Sequence, residues 1–482
     1  MPSNVQPEVM LTKGVLIVLL LAALNGVLTL FTIWRDRRRR DASSQMLLSP
    51  LTVISVGMTI RYGIGPAIMA ITNRWIDDGF VRIWLERLDQ ITLAGSTLHF
   101  TIITGCLLIE TAGSIIGRRY GLINTKSRGI QSERKRYLEL ADWLGLFVCG
   151  SYIAGILSGA YERQYGAYVE WVTAKWRLDM LFIAFARLRD IWFVCLPILI
   201  RHRRGWRKMY VLLPLALYFV SVILSGSRGA LLYPLLYVLV GVCLFTRWRK
   251  WMTVATLSTV MIALLTVPTV YALRETPEYQ AETYITNKVA GINRLIKEPG
   301  RIIEKFQWTG RDLIACHDPF VFRERARPDW KPAGWNDIGL AGNMLLPRML
   351  GGKRQNLFDG SDIARRLQGV ENEEWAQVWF PCISLAADLM RRGAEGGVLL
   401  GGFIVGIILG FLQVGWGTIV ERGHTVATAL IALIPVTYLS SFPLGTVKET
   451  VWFALFDLGK YVLLAIFLNQ LIVLRSKKQE LL

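Results

Sequence analysis

The chain has 482 residues, of which 53% are hydrophobic, and it carries a formal net charge of +19. The apolar residues lie in long blocks and not in the short alternating patterns of a soluble core, which argues against a soluble multidomain protein. A basic chain can bind nucleic acid, but here the basic residues cluster at the ends of apolar blocks. We therefore predict no nucleic-acid partner.

The apolar blocks have the length of membrane-spanning helices, which need roughly 20 apolar residues. Eleven of them approach that length: 14–34, 46–71, 91–117, 138–158, 178–200, 209–225, 230–245, 251–273, 396–420, 425–442 and 451–474. The first block is too long for a signal peptide and its basic cluster follows the apolar run. The sequence predicts an all-α, polytopic bundle of about eleven transmembrane helices.

Basic residues predict the orientation of this bundle, because cytoplasmic loops hold excess Lys and Arg. A cluster from Arg35 to Arg40 follows the first block, which places residue 35 inside and the N-terminus outside. When the helices are counted onward from residue 35, every later basic cluster lies on the cytoplasmic side. The pattern predicts a cytoplasmic C-terminus in a multi-pass protein of the bacterial inner membrane.

Residues 274–395 are the one long connection, and they are nearly neutral in charge. Long loops cross a membrane largely regardless of charge, and several Trp residues argue against disorder. We predict helices 1–8 in residues 1–273, a partly helical periplasmic loop in 274–395, and helices 9–11 in 396–482. Residues 283–306 have helical spacing interrupted at Pro299-Gly300, which favours helices lying on the outer membrane surface.

The cysteines and short motifs indicate no metal site and no cofactor. Cys106, Cys149, Cys195 and Cys243 fall in apolar blocks and are most simply core residues. Cys316 and Cys382 both lie in the external loop, where a disulfide is allowed, although spacing does not show that they meet. There is no metal-binding pattern and no nucleotide-type glycine loop, which argues against an ATPase.

Charged residues inside the apolar blocks are candidates for a site, because charge in a bilayer is costly. Arg61, His99 and Arg187 are predicted in the outer halves of helices two, three and five. Arg228 and Arg274 lie at the outer ends of later helices. Guanidinium groups offer planar paired donors and stay charged when partly desolvated. The pattern predicts an outward-facing receptor for phosphate or pyrophosphate.

These residues also have structural alternatives. Arg61 is long enough to extend to the outer surface. Arg187 and Asp190 are three residues apart and can neutralise each other. A lone His99 is usually a packing residue, and Glu110, nearer the cytoplasmic side, is expected to be structural.

The ninth apolar block carries glycines at four-residue spacing, at Gly402, Gly406 and Gly410. Such spacing lets membrane helices approach closely. We favour packing within the bundle over dimerisation.

Several short motifs resemble those of O-antigen polymerase-like proteins, the Wzy-type polymerases of oligosaccharide repeat units. They are Ser225 to Gly229 at a tight outside turn, Gly310-Arg311-Asp312, Leu346 to Leu350 with nearby Lys353, and Asp388 to Gly397 entering the ninth helix. At that last place the family usually has an aromatic-Gly pattern, where this chain has Arg391-Arg392-Gly393. O-antigen ligase-related proteins share the same layout.

The resemblance implies a GT-C-like, metal-independent membrane glycosyltransferase that needs no cofactor. Its donor and acceptor would be oligosaccharides on undecaprenyl pyrophosphate, and its further partners membrane lipids, a chain-length regulator and a flippase. Cations would stabilise the pyrophosphate leaving group. The residues assigned to it are Arg228, Arg311 and Arg348 first, then Lys353, Arg274, Arg187 and Arg61. Asp312 and His317 are the candidates for a general base.

Other functions remain open at this point. An O-antigen ligase has the same donor but a different acceptor, and the sequence does not separate the two. A lipid transporter usually shows internal repeats, which are not evident here. A non-catalytic scaffold in an exopolysaccharide machine is the third alternative.

Overall fold

The structure is a computed structural model that describes the chain in separate stretches. They are residues 7–39, 49–72, 85–119, 130–157, 186–225, 234–235, 237–242, 265, 268–270, 272–273, 276–277, 285–305, 318–336, 383–422, 446–447 and 450. Within these stretches the regular structure is helical, and no strand occurs. The all-helical class predicted from the sequence is confirmed for this part of the chain.

The helices are numbered in chain order. They are α1 (Pro7–Arg39), α2 (Pro50–Thr59), α3 (Gly65–Thr72), α4 (Leu88–Arg119), α5 (Ile130–Leu157), α6 (Ala186–His202), α7 (Met209–Ser225), α8 (Ile285–Lys297), α9 (Gly300–Glu304), α10 (Asp318–Arg325) and α11 (Leu385–Arg422). A π-helical turn, Ile60–Ile64, joins α2 to α3. Within the described residues, four helical stretches are long and apolar enough to cross a membrane: Gly14–Asp36, Pro50–Thr72, Leu88–Gly113 and Leu385–Val414.

Local signals in the sequence explain several helix ends. Ser49 accepts a hydrogen bond from the N–H of Thr52, and Pro50 occupies the first helical position, where its missing N–H costs nothing. Within 274–395, α8 ends at Lys297 and α9 begins at Gly300, so the predicted interruption at Pro299-Gly300 is confirmed. The described residues of this segment are largely helical.

The apolar core of the first helix group is shared by α1, α2, α3, α4 and α11. Leu51, Met58, Ile91, Leu98 and Leu409 are buried in it. Residues of α10 and of the start of α11, both within 274–395, also belong to this core. These two segments are therefore held on the bundle by burial of apolar surface, the dominant favourable term in folding.

Side-chain contacts give the relative directions of these helices. Asn25 of α1 meets Ser96 of α4, and Arg35 meets Glu110 further along both helices, so α1 and α4 run parallel. Thr29 bonds the carbonyl of Ser55, which makes α2 antiparallel to them. Gly410 faces Ile109 and Gly113 faces Val414, so α11 also runs parallel to α4.

A buried charge cluster closes the bundle end at which α1 finishes. Arg35 lies 2.8 Å from Glu110 and 3.0 Å from Asp36. The same Asp36 accepts hydrogen bonds from the hydroxyls of Ser49 and Thr52. Glu110 has the structural partner that a buried charge needs, which confirms the structural interpretation of this residue.

A second helix group comprises α5, α6 and α7. The Nε of Arg203 donates to Asp142 at 2.9 Å, and Trp192 and Phe193 are buried and meet edge to face. Arg189 lies over the ring of Tyr152 at 5.3 Å, a cation–π contact. Arg187 lies in the first turn of α6, but its side chain is outside the described part, so its pairing with Asp190 stays a prediction.

The glycines of α11 pack inside the molecule as predicted. A Cβ added to Gly406 would lie 2.4 Å from the carbonyl oxygen of Ile102 and 3.0 Å from the Cα of Gly105. Gly410 faces Ile109 and the carbonyl oxygen of Cys106, and Gly402 faces the side chains of Thr101 and Leu98. Because backbone meets backbone at Gly406, only glycine permits this approach, and packing within the bundle is confirmed.

We expect Gly406→Ala to destabilise the detergent-purified protein by about 1–3 kcal/mol, since backbone atoms cannot rotate away from the new methyl group. The measurement is thermal unfolding followed by Trp fluorescence. Gly26→Ala is the matched control, because a Cβ there meets nothing within 4 Å. Equal unfolding temperatures for the two variants would contradict the contact.

Candidate functional site

Arg61 is the predicted site residue that the structure describes in full. It lies in the π-helical turn Ile60–Ile64, at which the N–H of Gly65 bonds the carbonyl of Ile60. Such turns often occur at functional sites. Arg61 is 4% exposed, so its side chain does not extend to the surface. The alternative that it extends to the outer surface is therefore wrong.

Tyr62 follows Arg61 and fills the space above a glycine of the neighbouring helix. Its ring lies on Gly95 of α4 so closely that a Cβ there would sit 2.1 Å from the ring carbons. Tyr62 is fully buried, and its side chain extends towards Asp318 and Ser384, with which it interacts. Because Gly95 has no side chain, the ring of Tyr62 can lie directly against α4. This contact determines the position of the Tyr62 hydroxyl.

Asp318 brings a carboxyl group from the external loop to this place. It begins α10, is 0% exposed, and its Oδ1 accepts the N–H of Ser384 at 2.7 Å. Burial raises the pKa of Asp318 to about 6, against the opposing effects of the Ser384 hydrogen bonds and of the Arg61 charge. Asp318 precedes the undescribed residues 337–382 and Ser384 follows them. The hydrogen bond between them therefore brings two distant parts of the segment together near Arg61.

The loop exit contains a second buried ion cluster, centred on Asp388. Its Oδ1 accepts two hydrogen bonds from Arg391, at 3.1 and 2.8 Å. Its Oδ2 accepts from the Nε of Arg392 and from the N–H of Val447, both at 2.9 Å. Asp388 is fully buried and Arg392 is 2% exposed. Both carboxylate oxygens are satisfied, as a buried charge requires.

Helix α11 turns back on itself just after this cluster. Gly393 and Ala394 have non-helical backbone angles, and Ala394 has φ 52° and ψ −146°, a conformation that favours glycine. A Cβ on Gly397 would lie 2.3 Å from the carbonyl oxygen of Leu389, so the two arms of α11 pack together. We call residues 383–401 the exit hairpin.

The segment after α10 holds the exit hairpin in place. The N–H groups of Ala333 and Gly334 bond the carbonyls of Arg391 and Arg392 at 3.0 and 3.3 Å, which satisfies the end of the first arm. Arg392 in turn donates to the carbonyl of Gly334 at 3.1 Å. Arg325 forms an ion pair with Glu395.

A polar network lies deeper in the bundle, between α1, the π turn and α4. The amide nitrogen of Asn25 donates to Ser96 at 2.8 Å and to the carbonyl of Tyr62 at 3.2 Å. Its oxygen is left to accept from Nδ1 of His99, at 2.8 Å. His99 is thus a packing residue with a partner, as the sequence favoured. This network fixes the backbone of the π turn that carries Arg61.

Most of the other predicted site residues lie outside the part of the chain that the structure describes. These are Arg228, Arg274, Arg311, Asp312, His317, Arg348 and Lys353, together with Cys316 and Cys382. Their convergence on Arg61 stays a prediction. Among the described residues, no group of three or more His, Cys, Asp or Glu is arranged to hold a metal ion.

The sequence reasoning missed Asp318 and Ser384, and used Asp388 and Arg392 only as part of a motif. The spacing of Asp388, Arg391 and Arg392 puts both arginines one helical turn from the carboxylate, which is a readable signal for an ion cluster. Asp318 is followed by proline and an apolar run, the pattern of a helix start. Neither pattern indicates that Asp318 meets Arg61.

No model of a known protein family matches this chain, and no curated protein or solved structure is similar to it.

Proposed function

We propose that this protein is a bacterial inner-membrane glycosyltransferase that polymerises oligosaccharide repeat units carried on undecaprenyl pyrophosphate. The reaction would take place on the periplasmic face, to which we assign the loop 274–395. The motifs in residues 220–410 support the proposal through their resemblance to Wzy-type polymerases. The same motifs leave an O-antigen ligase as the alternative, since that enzyme uses the same donor.

The observation that carries the proposal is the buried guanidinium of Arg61, which lies midway along the span Pro50–Thr72 and beside Asp318. A cation is costly in a water-poor interior unless it binds an anion. Arg61 has the carboxyl group of Asp318 nearby, and burial raises the pKa of that group to about 6. The guanidinium of Arg61 would attract an anionic ligand at this place.

The proposed reaction requires few further groups from the protein. The bond between sugar and pyrophosphate is already activated, so no nucleotide is needed on the outer face. Negative charge grows on the pyrophosphate as that bond breaks, and cations already in position stabilise it. We expect Arg228, Arg311 and Arg348 to supply further charge beside Arg61.

The helix directions support the membrane topology that this function needs. The proposed order of eleven helices sends the first, third and ninth from outside to inside and the second the other way. In the bundle α1, α4 and the second arm of α11 run parallel, and α2 runs against them. This arrangement agrees with a periplasmic loop between helices eight and nine.

The test is deletion of the gene in its source organism, followed by sizing of the lipid-linked glycans. We expect single repeat units to accumulate on the lipid, and long polymer to return when the wild-type gene is restored. Accumulation of full-length lipid-linked polymer would instead identify a ligase. Unchanged glycans, or transport of lipid-linked units by the purified protein in proteoliposomes, would overturn the enzymatic proposal.

A further inference from the structure

Three acidic side chains are buried among the described residues, and two of them are fully satisfied. Asp36 is bonded by Arg35, Ser49 and Thr52 at one end of the bundle. Asp388 accepts four hydrogen bonds in the exit hairpin, as described above. The hydrogen bonds of these two carboxylates hold parts of the fold together.

Asp318 is different from both. Its Oδ1 accepts the backbone N–H of Ser384, and the side chain of Ser384 also interacts with this carboxyl group. Its Oδ2 has no hydrogen-bond partner among the described residues, although the side chain is fully buried. Unsatisfied buried atoms of this kind are rare and often mark a catalytic role or a missing ligand. The free oxygen belongs to the carboxyl group that interacts with Arg61 and Tyr62.

We infer that Asp318 is the general base of the transfer reaction and that its free Oδ2 accepts the proton of the attacking sugar hydroxyl. This inference rests on the proposed function. The acceptor oxygen forms a bond to the anomeric carbon while its proton passes to the carboxylate. The bond from that carbon to the pyrophosphate breaks, and its electron pair leaves with the phosphate oxygen. Asp318 later returns the proton to water.

The surroundings of Asp318 suit such a role. A general base works best when its pKa lies near the working pH, and burial brings the pKa of Asp318 to about 6. The groups that face it are Arg61 and Tyr62 from the π turn and Ser384 from the exit hairpin. The rest of α10 joins the apolar core through Val321 and Phe322, which holds this helix on the bundle.

The position of Asp318 also sets it apart from the candidates chosen from the sequence. Asp312 and His317 precede it in the same loop, yet their positions lie outside the described residues. Asp318 is bonded to the backbone of the exit hairpin, which a strained turn and three ion-paired residues hold in place. A base must be held within hydrogen-bond reach of its substrate, and this anchoring provides that rigidity.

The test is the rate of polymer formation as a function of pH, over about pH 5 to 8. Membranes that contain the protein and the lipid-linked repeats of its own source organism are the probe. For the wild type we expect the rate to rise with pH through about 6 and then to level off, because the base must be deprotonated. Asp318→Asn should lower the plateau by about 100-fold or more and remove this rise.

Two further variants distinguish a loss of catalysis from a loss of folding. Asp142→Asn removes the partner of Arg203 in the second helix group, and it should keep the wild-type pH profile. Asp318→Glu should keep the rise at a lower rate and with a shifted midpoint. If Asp318→Asn does not fold, the midpoint of Asp318→Glu decides: an unchanged midpoint and rate would overturn the inference.

The outcomes distinguish this inference from the proposed function. A wild-type membrane that forms no polymer counts against the glycosyltransferase itself. Polymer formation by Asp318→Asn at the wild-type rate, with the pH rise intact, refutes only the role of Asp318.

Discussion

Asp388→Ala is expected to destabilise the protein by about 3–5 kcal/mol, because it removes the carboxylate that binds the buried guanidinium of Arg392. Arg392 is 2% exposed, and its bond to the carbonyl of Gly334 does not involve Asp388. The N–H of Val447 would lose its acceptor as well. The measurement is thermal unfolding of the detergent-purified protein, together with proteolysis within the exit hairpin, which we expect to open first.

Glu298→Ala is the matched control for this substitution. Glu298 also lies between two arginines, Arg294 at 3.4 Å and Arg301 at 2.5 Å, but its side chain is 43% exposed. Exposed ion pairs contribute about 0–1 kcal/mol, so this variant should unfold near the wild-type temperature. Equal losses in the two variants would mean that burial of the Asp388 cluster does not determine its strength.

A double variant separates charge from packing. Asp388→Leu combined with Arg392→Met removes both charges and keeps much of the apolar volume. Replacing a buried pair by apolar groups is often nearly neutral. The double variant should therefore be more stable than Asp388→Ala, although Arg391 also loses its acceptor. If the double variant were less stable than Asp388→Ala, the loss of stability would come from the altered packing of the side chains and not from the buried charge.

Arg61→Ala is expected to lower the rate of polymer formation per folded molecule by about 100- to 1000-fold, the usual cost of losing one preorganised group that stabilises developing charge. Arg61→Lys should recover little, because an ammonium group lacks the planar paired donors that match a phosphate. The readout is the length and amount of lipid-linked polymer in the deletion strain, normalised to the folded protein in the membrane.

Arg35→Ala is the control for removing a buried arginine. Arg35 lies at the opposite end of the bundle and pairs with Asp36 and Glu110. Its loss should reduce stability and the amount of protein, while the rate per folded molecule stays at the wild-type value. A normal rate for Arg61→Ala at normal protein level would remove the chemical basis of the proposed site.

Much of the bundle was predictable because apolar length and glycine spacing are local properties. The blocks 14–34, 46–71 and 91–117 correspond to the spans Gly14–Asp36, Pro50–Thr72 and Leu88–Gly113. The glycines of α11 were assigned to packing before their partner helix was known. The α8–α9 break followed from Pro299, since proline removes a helix hydrogen bond.

The beginning of α11 was less predictable. Residues 385–392 were assigned to the end of the external loop, and they form a helical arm that folds back on 397–401. An apolar pattern predicts where a helix lies along the chain, but it does not predict that the chain reverses direction within that helix. That reversal depends on the Asp388 cluster and on the backbone bonds from Ala333 and Gly334, which come from other parts of the chain.

The sequence by itself determined that the chain is helical, that long apolar blocks dominate it, and that a few charges are buried among them. These properties follow from residue type and spacing along one helix. Only the tertiary structure decided that Asp318 and Ser384 lie near Arg61. It also decided that, among the described residues, both oxygens of Asp388 have hydrogen-bond partners while Oδ2 of Asp318 has none. Whether a buried oxygen has a hydrogen-bond partner depends on the residues around it in space. Asp318 and Arg61 are more than 250 positions apart, and the spacing of residues along one helix does not show that they are neighbours.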